Sequence, residues 1–115
     1  MLRLLMVLVA GLAAGLALAA PAAYGKPVQF YMGKPVVFAD LEVTFDGGGS
    51  LTDAQGNPRE YRAFRVVSRG QKILVPWYAD QTKPVDFQIA GRRFRLQVVK
   101  SSNPRADGAL TVWKR

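Results

Sequence analysis

Beyond residue 23, apolar and polar positions alternate with a period of two, and no stretch carries a helical stripe. The clearest case is Leu41-Glu42-Val43-Thr44-Phe45. Leu41, Val43 and Phe45 fall on one face of an extended strand, and Glu42 and Thr44 on the other. This pattern predicts a first strand over 28–32, ended by Gly33-Lys34-Pro35, and a second over 36–45. Residues 46–58 read as a long polar connection softened by three consecutive glycines. Within it, Ser50-Leu51-Thr52 can open a strand that turns over residues 53–56. A strand over 61–68 places Phe64 and Val66 on one face, turns at Arg69-Gly70 and returns over 71–75. Pro76 cannot donate to a ladder, so residues 73–78 belong at a sheet edge or end there. Residues 80–84 and 101–108 are loops, and residues 109–113 form a closing strand.

The strongest local inference is a hairpin over 85–99 around Ala90-Gly91. Its register pairs Ile89 with Arg92, Gln88 with Arg93, Phe87 with Phe94, Asp86 with Arg95 and Val85 with Leu96. That register puts Val85, Phe87, Phe94 and Leu96 on one face and sets Asp86 against Arg95 on the other, so apolar pattern and charge select the same pairing. The spacing of these elements predicts an all-β domain, a small antiparallel sandwich or barrel of six to eight strands.

The first 22 residues are of another kind. Arg3 is followed by an unbroken apolar run, then by small residues at Ala17-Leu18-Ala19 and Ala20-Pro21-Ala22. This is the layout of a signal peptide cleaved after Ala19 or Ala22, leaving a single domain over 23–115. The rival is a membrane anchor, since residues 4–24 are uncharged and long enough to span a bilayer. Pro21 and the absence of a basic cluster after Tyr24 favour cleavage. The expected location is therefore periplasmic or secreted, with no stable membrane insertion after cleavage.

Composition narrows the chemistry. The chain of 115 residues has no Cys and no His. Disulfides, thiol or Ser/His nucleophilic devices and most zinc sites are excluded. No cofactor motif is present. Net charge is +8, and it is uneven: residues 23–58 carry two cations and four acids, residues 59–115 thirteen cations and four acids. If the two halves occupy separate regions, the domain is an electrostatic dipole.

Candidate contact residues follow. Arg62 and Arg65, with Arg59, Arg69 and Lys72, flank one hairpin; Arg92, Arg93 and Arg95 flank another. If these hairpins are neighbours, their outer faces form a guanidinium-rich patch suited to phosphate or carboxylate. The alternative is a solvated face held by ion pairs such as Asp86 with Arg95. Trp77, Tyr78 and Trp113 can stack on a partner or close the ends of the core. The phenylalanines that alternate with the cations point inward, which disfavours nucleic acid. Asp40 and Glu42 lie two apart on the expected strand, the one arrangement resembling paired carboxylates, about 7 Å apart. Asp46 and Asp53 offer oxygens to calcium but lack the spacing and the Glu of a known loop.

The expectation is a non-catalytic, exported β-domain that binds a macromolecular partner in the bacterial envelope, with neither metal nor cofactor. The alternative partner is an anionic polymer, lipid phosphate or acidic polysaccharide, held by the Arg-rich face. A small carboxylate hydrolase ranks below both.

Overall fold

The computed structural model describes residues 20–115, which form eight strands and no helix. They are β1 (Val28–Phe30), β2 (Pro35–Val37), β3 (Glu42–Thr52), β4 (Pro58–Ser68), β5 (Gln71–Tyr78), β6 (Val85–Ile89), β7 (Arg92–Val99) and β8 (Gly108–Lys114). One four-stranded sheet has the order β1-β8-β7-β6 and the other β2-β3-β4-β5, and every pairing within them is antiparallel. The sheets share one core in a sandwich-like arrangement, and they approach at both edges, β5 beside β6 and β1 beside β2. The leader expected over 1–22 and its membrane-anchor rival over 4–24 fall mostly on residues 1–19, which lie outside the described residues.

Alternation builds the core directly. Val43, Phe45, Phe64, Val66, Val75 and Trp77 of one sheet face Phe30, Phe94, Leu96, Leu110 and Val112 of the other, and all are buried. Phe30 meets Phe45 and Phe64 edge-on, with ring centroids 5.3 and 5.2 Å apart. Edge-to-face packing of this kind adds roughly 0.5–1.5 kcal/mol per pair beyond the area buried. Gly108 lies against Phe30, where an added Cβ would sit 2.6 Å from the ring, so only glycine leaves room for that side chain.

The β6–β7 hairpin has the register expected from its sequence, pair for pair. Ala90 and Gly91 both have positive φ, 51° and 73°, as do Arg69 and Gly70 at 49° and 77°. Two successive left-handed residues form the tight turn whose twist matches the flanking strands. Here alanine and arginine occupy positions that glycine or asparagine fills at lower cost. β5 is an edge strand. Its odd-numbered residues bond toward β4, as Ala79 N–H does to the Glu60 carbonyl at 2.9 Å, which leaves Pro76 facing outward where no donor is required.

Three expectations need correction. Residues 36–45 are not one strand: β2 ends at Val37, β3 begins at Glu42, and residues 38–41 turn between them. The turn is closed by Phe38 N–H donating to the Leu41 carbonyl at 2.8 Å, and Phe38 and Leu41 are both buried. Residues three apart cannot both point inward on one regular strand, so burying both bends the chain. The first strand is also shorter than 28–32, because the turn into β2 begins after Phe30. Residues 46–58 are not a long loop. β3 runs through the glycines to Thr52, with a bulge between Phe45 and Gly48 that sets Asp46 and Gly47 opposite Ala63 alone. The turn is confined to residues 53–57, where the Asp53 carboxylate accepts the N–H groups of Gln55 and Asn57.

The segment before β1 is part of the fold. Ala22 forms a parallel bridge with Phe38, its N–H donating to the Val37 carbonyl at 2.7 Å, and Gly25 N–H donates to the Val112 carbonyl at 2.8 Å. Two outcomes follow. A chain starting at Ala20 keeps the Ala22 bridge and one starting at Ala23 lacks it, so the shorter form is expected to melt a few degrees lower, read by thermal unfolding of the two forms. Arg69→Asn relieves the left-handed turn and is expected to raise stability by up to about 1 kcal/mol, read as a higher urea midpoint with unchanged slope.

Candidate functional site

The β3–β4 hairpin runs past the region covered by the opposite sheet. Under it lies an open groove of about 960 Å³. The groove follows from parity. Arg62 continues the inward-facing series Phe64 and Val66 but stands beyond the end of the core, directly opposite Trp77 of β5. Trp77 is 6% exposed and forms the floor with Phe45. The Arg62 guanidinium lies 5.6 Å from the Phe45 ring centroid, and its Nη1 donates to the Asp107 carbonyl at 2.9 Å. Arg62 therefore reaches from β4 to the loop that enters β8 and closes the inner end of the groove. Glu60 and Lys100 stand on the rim, and Gly48 and Gly49 form a wall of bare backbone. Gly49 has no room for a side chain, because a Cβ there would lie 2.6–2.9 Å from the Tyr61 ring and hydroxyl.

Tyr78 lies on the outer face, tilted against Tyr61 at 6.2 Å, with the Arg59 guanidinium 3.9 Å above its ring. Arg59 also pairs with Asp80 at 3.2 Å. Trp113 is half-buried beside Gly25, on β8 opposite Arg95.

The two arginine groups do not form one patch. Arg62 and Arg65 belong to β4, whereas Arg92, Arg93 and Arg95 belong to β7 in the opposite sheet. Several are neutralised locally: Arg65 by Asp46 at 3.4 Å, Arg95 by Asp86 at 2.7 Å, and Arg92 by Asp40. The first two pairs are exposed and contribute roughly 0–1 kcal/mol each. What the fold does bring together is Arg92, Arg93 and Arg95 with Lys114 and Arg115, since β8 ends beside the start of β7. Nor do the two halves of the chain separate in space. β1 pairs with β8 and β3 with β4, so the less basic half contributes to both sheets.

Asp40 is not a strand residue sharing a face with Glu42. It sits in the turn before β3, its side chain 14% exposed, with Glu42 outside on β3. Its carboxylate accepts the Tyr24 hydroxyl and pairs with Arg92, and with Lys114 at 3.2 Å. The Ser68 hydroxyl donates to its backbone carbonyl at 2.6 Å. Tyr24 stacks on Phe38 at 5.0 Å, and the Lys114 ammonium lies 4.9 Å from the Tyr24 ring centroid. This cluster ties the segment before β1, the β2–β3 turn, β7 and β8 at the end of the domain away from the groove. Its acid is fully engaged by hydrogen bonds and cations. Among the described residues, no group of three or more acids converges on a metal-sized space, and Asp46 and Asp53 are engaged separately.

Reasoning from sequence singled out Arg62 and Trp77 but missed the groove they share. The missing signal was the length of the β3–β4 hairpin, hidden by the glycines. Asp40→Asn removes the charge that Arg92 and Lys114 share and is expected to cost about 2 kcal/mol, read by urea unfolding, with a smaller penalty in an Asp40→Asn, Arg92→Met double variant. Neither a scan against protein-family models nor comparisons with curated proteins and solved structures return a match.

Proposed function

We propose that this chain is a non-catalytic binding domain of the bacterial envelope that holds a segment of a macromolecular partner in the groove beneath the β3–β4 hairpin. Placement in the envelope rests on the sequence of the leader. The groove reading is carried by one observation: Trp77, Phe45 and a cross-braced Arg62 line a space open enough for a chain to lie in. Its volume is near the upper end of the range for ligand sites, roughly 300–1,000 Å³. An aromatic floor accepts an apolar side chain, and Arg62 and Lys100 favour a carboxylate or carbonyl beside it. The engaged state of Asp40 and its distance from the groove lend no support to a carboxylate hydrolase.

The alternative is an anionic polymer on the other sheet. The observation favouring it is the gathering of Arg92, Arg93, Arg95, Lys114 and Arg115 against only Asp40 and Asp86. The two readings separate cleanly. Ala79 is exposed and lines the groove, so Ala79→Trp fills the space without touching the core. Wild-type protein immobilised in envelope extract is expected to retain a partner that the Ala79→Trp and Arg62→Gln variants lose. Retention by both variants rejects the groove. Loss only in an Arg93→Gln, Arg95→Gln variant, together with steep weakening by salt, transfers the function to the basic sheet end.

A further inference from the structure

The outer half of β3 is an unpaired sheet edge. β2 covers only Glu42 to Thr44, and Gly33 N–H donates to the Phe45 carbonyl at 2.8 Å. From Gly48 to Thr52, β3 has β4 on one side and no backbone partner on the other among the described residues. Bonding parity shows which groups are free. Asp53 N–H donates to the Asn57 carbonyl at 2.8 Å, so Leu51 and Gly49 also bond toward β4, and Gly48, Ser50 and Thr52 point their N–H and carbonyl groups outward.

Native sheets blunt such edges with charge, proline or brevity. The other edge strands here show these devices: β5 has Lys72 and Pro76, and β2 is three residues long and begins at Pro35. Residues 47–52, Gly-Gly-Gly-Ser-Leu-Thr, contain neither charge nor proline, and Leu51 is 50% exposed. The bulge before Gly48 leaves the five residues after it regularly paired.

We propose that this edge pairs with the same edge of a second copy, antiparallel about a two-fold axis at Ser50. The segment is self-complementary in that register. Ser50 meets Ser50 of the second copy, and Gly48 meets Thr52, so all outward-facing groups find partners. Leu51 of each copy falls opposite Gly49 of the other. There the Tyr61 ring lies over Gly49 in the place a side chain would take, and Leu51 of the second copy packs beside the exposed edge of that ring. Charge selects the same stretch. The chain carries +8, so two copies repel over most of their surface, and this is an edge where no cation is brought against another. The cations on β4 beside this segment are engaged within the monomer, Arg59 by Asp80 and the Tyr78 ring and Arg62 by the Asp107 carbonyl. A two-fold axis normal to the sheet sets both grooves on one face of a sheet in which β5-β4-β3 of one copy continues into β3-β4-β5 of the other, six strands across, with each β2 beside the remaining part of its own β3. The pairing goes beyond the groove reading and does not depend on it.

Sedimentation equilibrium of the purified protein over a range of concentrations and salt tests the pairing. The wild type is expected to dimerise reversibly, and more tightly as salt rises, because screening relieves repulsion. Ser50→Pro deletes an N–H that the monomer does not use, and Leu51→Lys places a cation in the contact without altering the groove. Each is expected to weaken the dimer by at least about tenfold while circular dichroism stays that of the wild type. A wild type that stays monomeric, or a Leu51→Lys variant that dimerises as tightly as wild type, overturns the pairing. Ala79→Trp is expected to leave the dimer intact, so failure of the groove and failure of the edge are read separately.

Discussion

The contact between Phe30 and the pair Phe45–Phe64 is the constraint on which the rest depends. A domain of this size without disulfides has little stabilisation to spare, and its sheets are joined through side chains. Phe30 is the inward-facing residue that ends β1, and its ring spans to two strands of the opposite sheet. Gly108 must yield to that ring, and Arg62 reaches the Asp107 carbonyl just beside it. The groove begins where this contact stops. Apolar packing on one side and a guanidinium brace on the other thus set the floor of the candidate site.

The opposite end of the domain is closed by different chemistry. Asp40 draws Tyr24, Arg92 and Lys114 together from three separate parts of the chain. Asp40 is more sheltered from water than the acids on the sheet faces, so leaving its partners without it costs more than breaking an exposed pair. The domain therefore has one polar, locked end and one aromatic, open end. The β3–β4 hairpin projects from the open one, its glycines contributing backbone where other strands contribute side chains.

How much was legible in the sequence varied with the physics at each place. The β6–β7 register was readable because apolar alternation and the Asp86–Arg95 pair are both short-range and agree. The inward positions of Phe64 and Val66 followed from the same alternation. The break between β2 and β3 was visible in principle, since Phe38 and Leu41 are three apart, but the regular run after Leu41 outweighed it. The glycines misled for a sound reason. Gly47, Gly48 and Gly49 carry no side chain from which a period can be read, and their strand character comes from β4. The groove depends on which strands overhang which, a long-range property that no local pattern encodes. The separation of the arginines depends on strand order in the same way.

One topological feature has a temporal side. β1 finds its ladder partner in β8, the last of these eight strands to be synthesised. Phe30 is essentially inaccessible to water once folding is complete, yet the strand that shelters it is still unmade while every earlier strand emerges. The other sheet, a run of successive hairpins, suffers no such delay. The nascent domain thus passes through a half-assembled stage with an orphaned aromatic on its first strand, and this sheet closes only when its eighth strand has emerged.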